Sequence, residues 1–253
     1  MILHRLASGM IAGAGAGVLA GLLHFAFVQE YILLSESYET SILVHFTDGT
    51  DVKVHSHNSA PATDGQTDND TETARASDNH NHQHFDEMPF LGRYAGTILF
   101  TVLTYSGFGL ILVTAYGLAE LAGIKVRPDQ GTLWGLAGFG ALQLAPAMGL
   151  APQLPGTIAA DLMDRHIWWV FTALGTGLGL ALLLFGRTKV MIGAGVVILT
   201  LPHIIGAPMM EGYSGVAPPE VAGAFSARLL GVGLVSWLVL GWLSTREWTK
   251  KPD

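Results

Sequence analysis

The sequence predicts an all-α integral membrane protein, a bundle of about six transmembrane helices with one long outer loop. Three observations carry this. Half of the 253 residues are hydrophobic and only 13% are charged, about half the charged share of an ordinary soluble domain. The chain holds several apolar runs near the roughly 20 residues that a helix needs to cross the hydrocarbon core. Its 32 glycines suit membrane helices, where close backbone approach takes over from the hydrophobic drive between helices.

The predicted spans are Leu6 to Gln29, Gly92 to Leu121, Gly131 to Leu150, His166 to Gly186, Val190 to Ile205 and Ala222 to Leu243. In the first, Gly9, Gly13, Gly17 and Gly21 recur every four residues and fall on one helix face. Such a flat seam packs against another helix, so this span is expected to stay in the bundle rather than leave as a signal peptide. The fifth span is short and carries Pro202 near its end. Merging it with the fourth as a re-entrant pair is the alternative, giving five spans.

Basic residues favour six, because Lys and Arg are retained on the cytoplasmic side. With the N- and C-termini inside, the inner segments hold Arg5, Lys125, Arg127, Arg187, Lys189, Arg246, Lys250 and Lys251. The outer ones hold Lys53, Arg75, Arg93, Arg165 and Arg228, the last three where a helix starts back inward and arginine can snorkel. Residues 1–253 thus read as a single membrane domain of the cytoplasmic membrane, with residues 40–90 as an extracytoplasmic His/Asp-rich loop.

That loop starts with alternating residues from Ser41 to His57 around Asp48-Gly49, a favoured hairpin turn. The hairpin would gather His45, His55 and His57. Segment Asn58 to Glu87 has too few apolar residues to fold alone and is expected to be disordered. It ends in His80, His82 and His84, whose alternation puts three imidazoles on one side of an extended chain. Imidazole suits Co, Ni, Cu and Zn ions. It binds metal when neutral, so capture weakens as pH falls through about 6.5. The bland reading is a solvated linker that binds metal incidentally.

Three more histidines lie at the outer membrane edge: His24, His166 and His203. Around them run two Pro/Gly-punctuated turns, Leu150 to Gly156 with Asp161 and Asp164 beyond, and Pro202 to Glu211 with Met209 and Met210. Irregular backbone at membrane depth survives where it is buried in protein or lines a cavity. An entrance built around His24, His203 and the Met209-Met210-Glu211 turn is therefore expected. Deeper in the bilayer the polar groups are Thr101, Thr104, Ser106, Gln143, Thr172, Thr176 and Thr200, with no carboxylate or basic residue.

The absences are equally specific. Cysteine is missing, which removes disulfides and thiolate metal sites. The net charge of -7 argues against nucleic acid as a partner. No Gly-x-x-x-x-Gly-Lys-Ser/Thr loop occurs, and no nucleophile and base pair up at membrane depth, so the chain is not read as an enzyme. No tightly bound cofactor is expected. The lipid bilayer is the obligate partner, and a homo-oligomer is open.

The runs Thr132-Leu-Trp-Gly-Leu-Ala-Gly-Phe139, Leu144-Ala-Pro-Ala-Met-Gly-Leu150, Pro152-Gln-Leu-Pro-Gly156, Ala159-Ala-Asp-Leu162, Arg165-His-Ile-Trp-Trp169 and Leu201-Pro-His-Ile-Ile-Gly-Ala-Pro208 strongly resemble the CbtA family of predicted cobalt transporter subunits. The resemblance extends over most of the chain, the acidic histidine loop corresponding to a variable insertion. It implies import of Co(II), with Ni(II) as the alternative, for cobalamin biosynthesis, beside a small single-helix CbtB-like subunit. Gln153 stands where the family pattern has glutamate, which removes a carboxylate ligand, and His166 where glutamine is frequent. The family is described with five spans, against the six of the charge count. The competing class is a non-transporting membrane scaffold or metal sensor.

Overall fold

The structure, a computed structural model, describes residues 2–40, 90–210 and 215–250. The described residues are helical, with one isolated antiparallel bridge between Thr157 and Gly215 and no strand. In order they form α1 (Ile2–Phe27), α2 (Gln29–Glu39), α3 (Phe90–Leu121), α4 (Gly131–Phe139), a π-helical turn (Gly140–Leu144), α5 (Ala145–Ala147), α6 (Leu162–Phe185), α7 (Lys189–Ile205) and α8 (Pro219–Thr249). Four of these, α1, α3, α6 and α8, are long and apolar enough to cross a membrane. The chain is thus a helical membrane protein.

The other two predicted spans are shorter. The 17 residues of α7 rise about 25 Å, at the short limit for the hydrocarbon core. The third predicted span ends at Ala147 rather than Leu150 and is interrupted by the π-helical turn. Pro146 lies just beyond that turn and has no N–H to donate into the helix. Such a wide turn lets the run continue past a misfit, and single π-turns of this kind cluster at functional sites.

Helix ends follow local chemistry. The Asp161 carboxylate caps α6, accepting from the Met163 and Asp164 amides at 2.8 and 3.3 Å. The Thr188 hydroxyl caps α7. Pro219 opens α8 at the first helical position. Gly206, at φ 87°, ends α7 four residues after Pro202 in the left-handed region that glycine tolerates.

Glycine seams hold the bundle. The stripe Gly9, Gly13, Gly17, Gly21 of α1 packs on α3, as its spacing predicts, the first three glycines against backbone and Gly21 against the Ile98 and Thr101 side chains. A Cβ at Gly13 or Gly17 would stand 2.5 Å from the Ser106 or Val102 Cα, and one at Gly9 2.8 Å from the Gly109 carbonyl oxygen. A second seam joins Gly131 and Gly135 of α4 to Gly241 and Trp237 of α8, and a third pairs Gly179 of α6 with Gly195 of α7. Aromatic rings fill the core between α1, α3, α4 and α8. Trp237 is fully buried and stacks on Phe108 with centroids 4.9 Å apart. Tyr116, also fully buried, shares a 2.8 Å hydrogen bond with Ser244.

Two ends can be told apart. At one, the start of α1 meets the ends of α3 and α8: Arg5 pairs with Glu120 at 3.0 Å, its guanidinium lies over Trp248, and the Trp248 indole donates to Glu120. The stack of Trp134 on Phe185 brings the end of α6 to the same side. At the other end lies α2, an element outside the predicted spans. It leaves α1 at a break at Val28 and packs Tyr31 and Ile32 against Leu154 and Phe225. Arg93 pairs with Glu36, and Arg228 with Glu30 at 2.9 Å while lying over Tyr31. Ser35 donates to the Pro155 carbonyl at 3.1 Å.

Candidate functional site

The polar groups of the α2 end converge where the π-helical turn meets α6 and α8. The turn from Pro152 to Gly156 is tied down there by Ser226, which donates to the Pro152 carbonyl at 2.7 Å, and by Ser35. This holds Gln153 beside the first turn of α6, where Arg165 Nη2 donates to Gln153 Oε1 at 3.0 Å. Under them opens a cavity of about 300 Å³, lined among others by Gln143, Gln153, Arg165, His166 and Trp169.

Gln143 links this cavity to the bundle core. It sits in the π-helical turn, its amide lies against Gly233 of α8, and Tyr105 interacts with both Gln143 and Ser236. Its Oε1 is buried without a hydrogen-bond partner, as are Arg165 Nε, the Thr172 and Thr176 hydroxyls and the Trp237 indole nitrogen. A buried polar atom without a partner costs about 1–3 kcal/mol. Two such atoms around one cavity, Gln143 Oε1 and Arg165 Nε, mark it as a place where a polar guest would be stabilised.

Of the predicted ligands, His166 lies on this cavity. His203 stands beside Trp168, ring centroids 6.2 Å apart, where the Trp168 indole donates to the Pro202 carbonyl. His24 is half-buried near the end of α1, next to Phe25, whose ring packs on Tyr94. Met209 is exposed after α7. Within the described residues α7 packs on α6 alone, so His24 and His203 sit on helices that do not touch. No three His, Asp or Glu side chains converge there as a metal site. His45, His55, His57, His80, His82, His84 and Glu211, with the predicted hairpin and the segment 58–87, lie outside the described residues.

The Arg165–Gln153 pair and the helix α2 were not anticipated. The signal for the first was the proximity of a polar turn to the arginine that opens the next helix. For α2 it was the run Tyr31 to Leu34, apolar between Glu30 and Glu36.

No curated protein and no solved structure matches the chain. A family model does, over residues 4–249, from the start of α1 to the last residue of α8, and its description is probable cobalt transporter subunit. Extending as it does over the glycine seams, the π-helical turn and the cavity beneath Arg165, that match shows that the chain belongs to the CbtA family.

Proposed function

We propose that this protein is a membrane subunit that takes up Co(II), with Ni(II) as the competing cargo, and supplies it for cobalamin synthesis. The observation that carries the reading is the family match across residues 4–249. The basic residues support an orientation. Arg5, Lys125, Arg127, Arg187, Lys189, Arg246 and Lys250 belong to the end opposite α2, which the retention of positive charge places in the cytoplasm. Two of the three arginines at the α2 end are neutralised by glutamates. The α2 end then faces outward, six helical runs cross the membrane, α4 to α5 and α7 included, and both termini are cytoplasmic.

In this reading His45, His55, His57, His80, His82 and His84 collect the cation outside, while His24, His203, Met209 and Glu211 remain candidate ligands at the rim. Entry is placed at the cavity that holds His166 and Gln143. The potential supplies the drive: a divalent cation moving inward gains roughly 4.6 kcal/mol at 100 mV. A CbtB-like single-helix subunit is the proposed partner. The second reading is a scaffold or sensor that binds metal and conducts none.

Radioactive cobalt uptake into vesicles, with and without the partner, separates the two. Transport predicts potential-dependent accumulation. Removing residues 58–87 is expected to raise the half-saturating cobalt concentration severalfold at unchanged maximal flux, the mark of lost collection. Binding with no flux in any arm establishes the scaffold instead.

A further inference from the structure

Arg165 is the odd one of the three arginines at the α2 end. Arg93 and Arg228 each pair with a carboxylate of α2, whereas Arg165 meets only the neutral amide of Gln153. No described carboxylate pairs with it, and its Nε is buried without a partner. Asp161 and Asp164 are near in sequence, but the Asp161 carboxylate is engaged in capping α6, and Asp164 lines a different depression, beside Trp168 and Pro208. None of the other residues lining the cavity beneath Arg165 is a carboxylate; its polar lining includes the Gln143 and Gln153 amides, the His166 imidazole and the Trp169 indole. The cavity therefore carries a positive charge that no described carboxylate compensates, with the amide of Gln153 beside it.

We propose that this cavity binds a small di- or tricarboxylate, one carboxylate docking on the Arg165 guanidinium and the amide nitrogen of Gln153 donating to the rest. The planar fork of a guanidinium matches a carboxylate with two parallel hydrogen bonds. The volume, about 300 Å³, lies at the small end of known ligand sites. With no described carboxylate paired to the guanidinium, a bare divalent cation is disfavoured beside it. On the transport reading proposed above, the bound anion is what shields the metal as it passes Arg165. The anion site itself does not depend on that reading, and it is tested without metal.

The test is calorimetric titration of the full chain in detergent, depleted of metal by resin, with citrate and with sulfate. The expected result is one citrate site, with sulfate at least about tenfold weaker because it has no second carboxylate to reach beyond Arg165. Arg165→Gln should weaken citrate about tenfold or more. Gln153→Glu should do the same by a different route, placing a carboxylate of the chain itself on Arg165 while keeping the fold, read as an unchanged or raised thermal midpoint. Citrate binding that survives both substitutions, absence of citrate binding in the unaltered chain, or sulfate binding as tightly as citrate overturns the site. Cobalt flux measured in the same variants is a separate quantity, so loss of flux with retained citrate binding would count against transport and not against the carboxylate site.

Discussion

Gly13→Leu is expected to leave no folded bundle. The new Cβ would stand 2.5 Å from the Ser106 Cα and closer still to the Tyr105 carbonyl oxygen. These are backbone atoms of α3, which cannot swing aside as a side-chain tip can. The helices must separate, and the neighbouring contacts of Gly9 and Gly17 part with them, because all lie on one seam. Overpacking of a core costs about 1–3 kcal/mol where side chains can shift, and more where they cannot. A loss of at least about 3 kcal/mol is therefore predicted, read as the disappearance of a folded species in detergent. Gly107→Leu is the matched comparison: a Cβ there meets nothing within 4 Å, and a surface change of this kind stays within about 0.5 kcal/mol. If both variants fold equally well, the seam is not what holds α1 to α3.

The second large effect is at Trp237, which joins three helices. Its ring is fully buried, stacks on Phe108 of α3 and lies against Gly138 of α4. Trp237→Ala should lower unfolding stability by about 3–5 kcal/mol, the usual range for emptying a buried aromatic position. Trp237→Phe should cost clearly less, since it keeps an aromatic ring at the stack and removes an indole N–H that has no hydrogen-bond partner. Trp242→Ala, at a position 39% exposed, should change little. Chemical unfolding in mixed micelles measures all three. An equal loss for Ala at both tryptophans would contradict the packing described.

What the sequence conveyed well was whatever repeats along one helix. The four-residue spacing of Gly9, Gly13, Gly17 and Gly21 encodes a face without reference to the rest of the chain, and the face is packed as predicted. The ends of α3 at Leu121 and of α7 at Ile205 were placed correctly, because charges and Pro202-Gly206 punctuate them. What it did not convey depends on distant partners. The π-helical turn at Gly140–Leu144 reflects how α4 meets α6 and α8 around a helix that contains Pro146, and hydropathy is blind to it. α2 escaped notice because it is half polar, and its place is set by Arg93 and Arg228, far along the chain.

The site divides in the same way. Gln143, Arg165 and His166 stood out from an apolar background and do meet at one cavity. Histidines at similar depth carried no information on lateral position, and His24 and His203 proved to stand on helices that do not touch. Depth follows from position in a span; neighbourhood follows from packing.

The uptake reading stands on the direction of the bundle in the membrane. The chain contains no cysteine, so single cysteines can be introduced at Ser37 in α2 and at Lys125 between α3 and α4 and probed in intact cells with a membrane-impermeant maleimide. The account predicts labelling at position 37 and, at 125, labelling only after the cells are opened. The reverse pattern would put α2 and the histidine-rich segment that follows it in the cytoplasm, and would contradict the capture of cobalt from outside.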